Sequence, residues 1–182
     1  PDIWKNINSN EFSDKIYEFL DYPESIWKHV FENQITPFSQ CILANILSTG
    51  TPIFYDDLRL AIQNFAKDHS QKYGIRYSEL EFKKAIKELE NTFIISKKDD
   101  INQFTIDYQN PSVQDFLVKY FEDSPDYIND ILQSAIFFNQ LFRVFSVDEY
   151  EIVVGLKGTR PKILLTRESR EILIKKIISE YD

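Results

Sequence analysis

Apolar positions in this chain recur first at helical spacing, switch once to strict alternation, and then return to helical spacing. Phe12, Ile16, Phe19 and Leu20, a break at Tyr22-Pro23, and then Ile26, Trp27, Val30 and Phe31 predict two short amphipathic helices over residues 11–33. Thr36-Pro37 is a strong helix opening, since Thr caps free N–H groups and Pro loses nothing at the first helical position. Phe38, Cys41, Ile42, Leu43, Ile46 and Leu47 follow on an apolar face, and Gly50 stops the helix. A second helix is expected from Asp56 to Lys67 on Leu58, Ala61, Ile62 and Phe65, with the polar stretch Asp68 to Tyr73 and Gly74 as a connection. Ser78 with Glu81 reads as a capping box opening a third helix, carried by Leu80, Phe82, Ala85, Ile86 and Leu89 to about Asn91.

The period then changes to two. Phe93 and Ile95, a charged turn at Lys97 to Asp100, and Phe104, Ile106 and Tyr108 predict a β-hairpin. Asn110-Pro111 starts another helix with Val113, Phe116, Leu117, Tyr120 and Phe121 inward. Three helices followed by a two-stranded hairpin predict a winged-helix domain over residues 36–121. The fold class is therefore mainly α, with an N-terminal helical segment (1–35) and a C-terminal helical region (122–182) on either side. In the latter, Ser124-Pro125 should cap a largely buried helix running through Phe142, and Thr166 to Tyr181 reads as a closing amphipathic helix. Glu151 to Leu165 fits strand or loop equally.

Charge narrows the partners. The net −8 divides into −4 over residues 1–35, −1 over 36–121 and −3 over 122–182, so no segment is basic. The third helix sets Lys83, Lys84 and Lys87 against Glu79, Glu81, Glu88 and Glu90, and Lys97 and Lys98 are balanced by Asp99 and Asp100. Phosphate neutralisation supplies most non-specific nucleic-acid affinity, so this balance favours protein contact over DNA. The longest apolar stretch, Ala135 to Phe145, is interrupted by Asn139, Gln140 and Arg143 and is no membrane span. A single cysteine and the absence of a signal-like opening fit a cytoplasmic protein, and an opening Pro with no Met in the chain reads as a segment of something longer.

Candidate chemistry is sparse. The four glycines form no phosphate loop, and His29 and His69 have no second ligand at metal spacing, so both read as solvated helix residues and no cofactor or metal is expected in the segment. Asp56-Asp57 and Asp99-Asp100 read as a helix N-terminus and a turn, not as a divalent-ion site. Cys41 reads as a buried hydrophobe.

Tyr22-Pro23-Glu24-Ser25-Ile26-Trp27, Thr36-Pro37-Phe38-Ser39, Ala85 to Ile94 and Asn110-Pro111-Ser112-Val113-Gln114-Asp115-Phe116-Leu117 together resemble the segment after the ATPase core of bacterial STAND-class, NACHT-like signalling NTPases. The last run is similar to a His-Pro-Ser-x-x-Glu-Phe-Leu signature, with Asn110 at the His position. The resemblance implies a winged helix that is not itself an enzyme and relays nucleotide state or target recognition to an effector, as in antiphage defence. It implies a parent ATPase using ATP or ADP with Mg, intramolecular contacts with an NTPase core and sensor or effector domains, and oligomerisation of that parent. It also makes Asn110 the one position for a nucleotide-phosphate sensor, which competes with a plain helix-capping role. The alternative function is a DNA-binding winged-helix transcriptional regulator.

Overall fold

The computed structural model describes residues 23–98, 103–148 and 162–181. The chain divides into two compact units, Pro1–Gln34 and Ile35–Asp182. The described part of the first is α1 (Pro23–Asn33), continued into Gln34 by a bond from its N–H to the Val30 carbonyl (2.9 Å). The expected helix over 11–20 lies outside the described residues.

The second unit is mainly helical with a small sheet, and its core is built around α2 (Pro37–Thr49). Thr36 caps this helix by accepting from the Ser39 N–H (3.3 Å), and Ile42, Leu43, Ala44 and Ile46 are wholly buried. Burial on nearly every side makes α2 the axis on which the other helices pack. Gly50 stops it at φ 78°, with its N–H on the Ile46 carbonyl (2.8 Å). The positive φ favours glycine there, and a Cβ would also push aside the Arg143 side chain, whose Nε would lie 2.1 Å away.

Next come β1 (Ile53–Phe54), α3 (Tyr55–Tyr73), α4 (Glu79–Leu89), β2 (Ile94–Lys98) and β3 (Phe104–Tyr108). The strands form an antiparallel sheet in the order β1-β3-β2, pairing Ile53 with Ile106 and Ile94 with Tyr108. A hairpin of two strands was expected; the third, β1, has only two residues, too few for alternation to reveal it. The inward residue at the start of β2 is Ile94, wholly buried beside Phe93, whereas Ile95 is half-buried.

α3 also runs past its expected end at Lys67, through the polar stretch to Tyr73. His69 and Tyr73 both pack inward against Phe65 (ring centroids 5.0 and 5.4 Å), and Gly74 supplies the left-handed stop at φ 62°. Polarity alone did not reveal a buried face made of aromatic side chains with polar tips.

The remaining elements are α5 (Pro111–Glu122), α6 (Pro125–Ser134), a 3-10 turn (Phe138–Leu141), β4 (Phe145–Ser146), β5 (Ile163–Leu164) and α7 (Arg167–Tyr181). α6 does not reach Phe142. Ala135 turns extended (ψ 132°), and the buried amide oxygen of Gln140 takes the N–H groups of Ile136 and Phe137 (2.9 and 3.0 Å) in place of helical carbonyls. Ser124 makes no side-chain cap bond, its ψ of 64° lying outside the extended geometry such caps use. Within the region left open between strand and loop, Ile163–Leu164 pairs in parallel with Phe145–Ser146.

Candidate functional site

α4 is capped by Ser78, whose hydroxyl oxygen accepts from the Glu81 N–H (3.1 Å); the Glu81 carboxylate turns instead to Lys84 (2.7 Å), so only half of the expected capping box forms. Its three glutamates, and Glu90 just past its end, have different fates. Glu88 accepts from the Thr36 N–H (3.1 Å), the Thr36 hydroxyl (2.8 Å) and the Ser39 hydroxyl, closing the start of α2 from another helix. Glu79 takes Arg59 of α3 (3.2 Å) and the Tyr77 hydroxyl (2.7 Å); first the Tyr77 bond and then Arg59 hold its carboxyl below the ordinary range. Glu90 has left the helix, with ψ 141°. The inward face is Phe82, Ala85, Ile86 and Leu89. The outward face is Leu80, Lys83, Lys84 and Lys87, all exposed.

An open cavity of about 720 Å³ lies between the start of α2, the segment leading into α4 and one side of α4, lined in part by Pro37, Phe38, Arg76, Tyr77, Lys84 and Glu88. It combines apolar walls with two carboxylates: Glu88, bound to three donors and so holding two helices together, and Glu81, paired with Lys84. Among the described residues no group of three or more His, Cys, Asp and Glu side chains could hold a metal ion.

The most concentrated polar chemistry lies elsewhere, in a buried seam between α3 and α6. Asp130 accepts from Lys72 (2.5 Å) and Tyr73 (2.6 Å), with His69 Nδ1 at 3.6 Å. Burial, then the Asp130 bond, push the Tyr73 phenol far above its ordinary value. His69 is thus a buried seam residue, 9% exposed, and not the solvated one its polar neighbours in the sequence predicted. Tyr127 stacks on Phe65 and donates to the Cys41 sulfur (3.1 Å). Burial pushes the Cys41 thiol up to about 11, against the opposing Tyr127 bond, so at neutral pH it is an inert packed thiol as expected. Nothing in the sequence pairs Asp130 with Lys72 and Tyr73, since the residues sit on different helices.

Asn110, the one position proposed for nucleotide contact, caps α5: its side-chain oxygen accepts from the Ser112 N–H (2.8 Å) and also from the Ser112 hydroxyl. The residue is exposed and does not line the cavity beside α4. Of the acidic pairs, Asp56 binds Arg59 (3.3 Å) at the start of α3, and Asp99-Asp100 lies outside the described residues. His29 is exposed on α1. No family model matches the chain, and neither a curated protein nor a solved structure is significantly similar to it.

Proposed function

We propose that the chain is a non-catalytic, protein-contacting regulatory module built on a winged helix. The observation that carries this reading is the order α2-β1-α3-α4-β2-β3 with β1 seated beside β3, which is how a winged helix ties its hairpin to its helical core. The resemblance to STAND-class proteins supplies the parent: an NTPase using ATP or ADP with Mg, in which this module relays a state change to an effector in the cytoplasm, oligomerisation included. The seam at Asp130 supports a relay, because a buried, directional set of bonds joins α3 to α6 and so couples the helical core to the C-terminal helices. Asn110 keeps its capping role in this reading.

DNA binding is the second reading, favoured by the same element order and by the lysines on α4. One titration separates the two. Mixed with labelled duplex, the chain is expected to give no gel-shift complex at physiological salt and no calorimetric heat with Mg-ATP. A sub-micromolar duplex complex with a steep salt slope overturns the protein-contact reading, and micromolar binding of Mg-ATP overturns the placing of nucleotide in another part of the parent.

A further inference from the structure

We infer that the outward face of α4 is a docking surface for an acidic segment of a protein, one that carries an apolar side chain among its carboxylates. The inference rests on the protein-contact reading above and names the partner's chemistry. Counted along the sequence as far as Glu90, four glutamates outnumber three lysines; α4 itself ends at Leu89 with three of each, and its exposed face is richer in lysine. Leu80, Lys83, Lys84 and Lys87 stand at i, i+3, i+4 and i+7, one stripe of a helix, directly opposite the buried residues. Glu88 is spent on the start of α2, and Glu79 on Arg59 and Tyr77. Glu81 neutralises Lys84. Lys83 and Lys87 make no ion pair or hydrogen bond among the described residues; Lys83 acts on Glu79 only through its field, and Glu79 is already held by Arg59 and Tyr77, so the stripe keeps an excess of positive charge.

Leu80 lies in the same stripe and is 62% exposed, the most exposed class of large apolar side chain in the described chain together with Ile178. An exposed apolar side chain followed one and two turns on by lysines suits a partner that buries one aliphatic group while its carboxylates reach the ammonium groups along the stripe. Duplex DNA fits less well. Two free lysines on a chain of net −8 fall far short of the phosphate neutralisation a stable complex needs. Of the hairpin lysines, Lys97 is 4.0 Å from Asp107, and Lys98 lies over the Phe104 ring at 5.6 Å.

Fluorescence anisotropy of the full chain with three labelled probes tests this: a short peptide of Glu and Leu at helical spacing, the same peptide with Lys for Glu, and a short DNA duplex. The Glu/Leu peptide is expected to bind at low ionic strength and to weaken as salt is raised. Lys83→Glu with Lys87→Glu should weaken it about tenfold or more, because two attractions become two repulsions, and should create binding of the Lys/Leu peptide. Leu80→Ser should weaken the Glu/Leu peptide with less change in its salt dependence. Both variants alter exposed side chains, so an unchanged thermal melt is the control for folding. If the charge-reversed chain binds the Glu/Leu peptide as the parent sequence does, or if that peptide fails to bind at low salt, this surface assignment falls while the protein-contact reading stands. A lysine-dependent complex with duplex overturns both.

Discussion

The seam between α3 and α6 and the outer face of α4 use the same side-chain chemistry to different ends. In the seam a carboxylate that is 7% exposed, Asp130, takes an ammonium and a phenol; on α4, Glu79 takes a guanidinium and a phenol in open solvent. Water competes freely for the Glu79 carboxylate, whereas in the seam Asp130 and His69 are buried, Tyr73 is partly buried and Lys72 is half-exposed. Removing Asp130 therefore strands donors away from water, whereas removing a partner of Glu79 hands its oxygens back to solvent. The seam ties α3 to α6, and the Glu79 pairs mainly decide which charges the surface displays.

The sharpest way to break this contrast is Asp130→Ala. The substitution leaves the Tyr73 hydroxyl and the His69 ring without their carboxylate in a buried site, and about 2 kcal/mol of stability should be lost, toward the lower end for a buried charged acceptor because Lys72 can turn to water. Urea unfolding with an unchanged denaturant slope is the measurement. Asp130→Asn, which keeps an acceptor for one donor, should lose less. Equal, small losses for both variants would mean that the seam is no better insulated from water than α4.

The contrast also explains what the sequence discloses. Features set by neighbours a few residues apart were legible: Thr36-Pro37 opens α2, Ser78 opens α4, Gly50 stops α2, and Asn110-Pro111 opens α5. Each depends on local backbone N–H groups and dihedral angles. The seam was not legible, because Asp130 meets Lys72 and Tyr73 only after α6 has packed on α3. His69 consequently read as solvated, and α3 as shorter than it is. The stop of α6 at Ser134 depends on the side chain of Gln140, beyond the break it completes. Charge counting gave a negative third helix because it ran on to Glu90, which lies past the end of α4, and because it could not register that Glu88 faces α2 and Glu79 faces α3. The candidate site is thus a property of the fold that sorts the charges, and only the residue types were available beforehand.

Between the two extremes stands Asn110, an exposed side chain whose bond is made to the backbone of its own helix. Asn110→Ala should cost about 1 kcal/mol through loss of the acceptor for the Ser112 N–H, and Asn110→Asp, which keeps an oxygen there and adds a charge favourable to a helix N-terminus, should be close to neutral. Thermal unfolding of the two variants checks this. A loss for Asp as large as that for Ala would show that the position asks for an uncharged amide, which capping does not require.

The smallest expected effect is that of Arg59→Ala, and it sharpens the comparison from the other side. Arg59 binds Asp56 in its own helix (3.3 Å) and Glu79 in the next (3.2 Å), so a structure diagram would give it as many ionic partners as any residue described. Both carboxylates are more than half exposed, however, and each regains water when the guanidinium leaves. Stability in physiological salt should be unchanged within the precision of a melt. Glu79 keeps its bond from Tyr77, the largest influence holding its carboxyl low, so its titration should move upward only in part. What should change is the surface: with Glu79 no longer neutralised, the start of α4 becomes more acidic beside Lys83, and the Glu/Leu peptide should bind more weakly at low salt with no loss of fold. A marked drop in melting temperature would show instead that the α4 pairs, like the seam, hold the helices together.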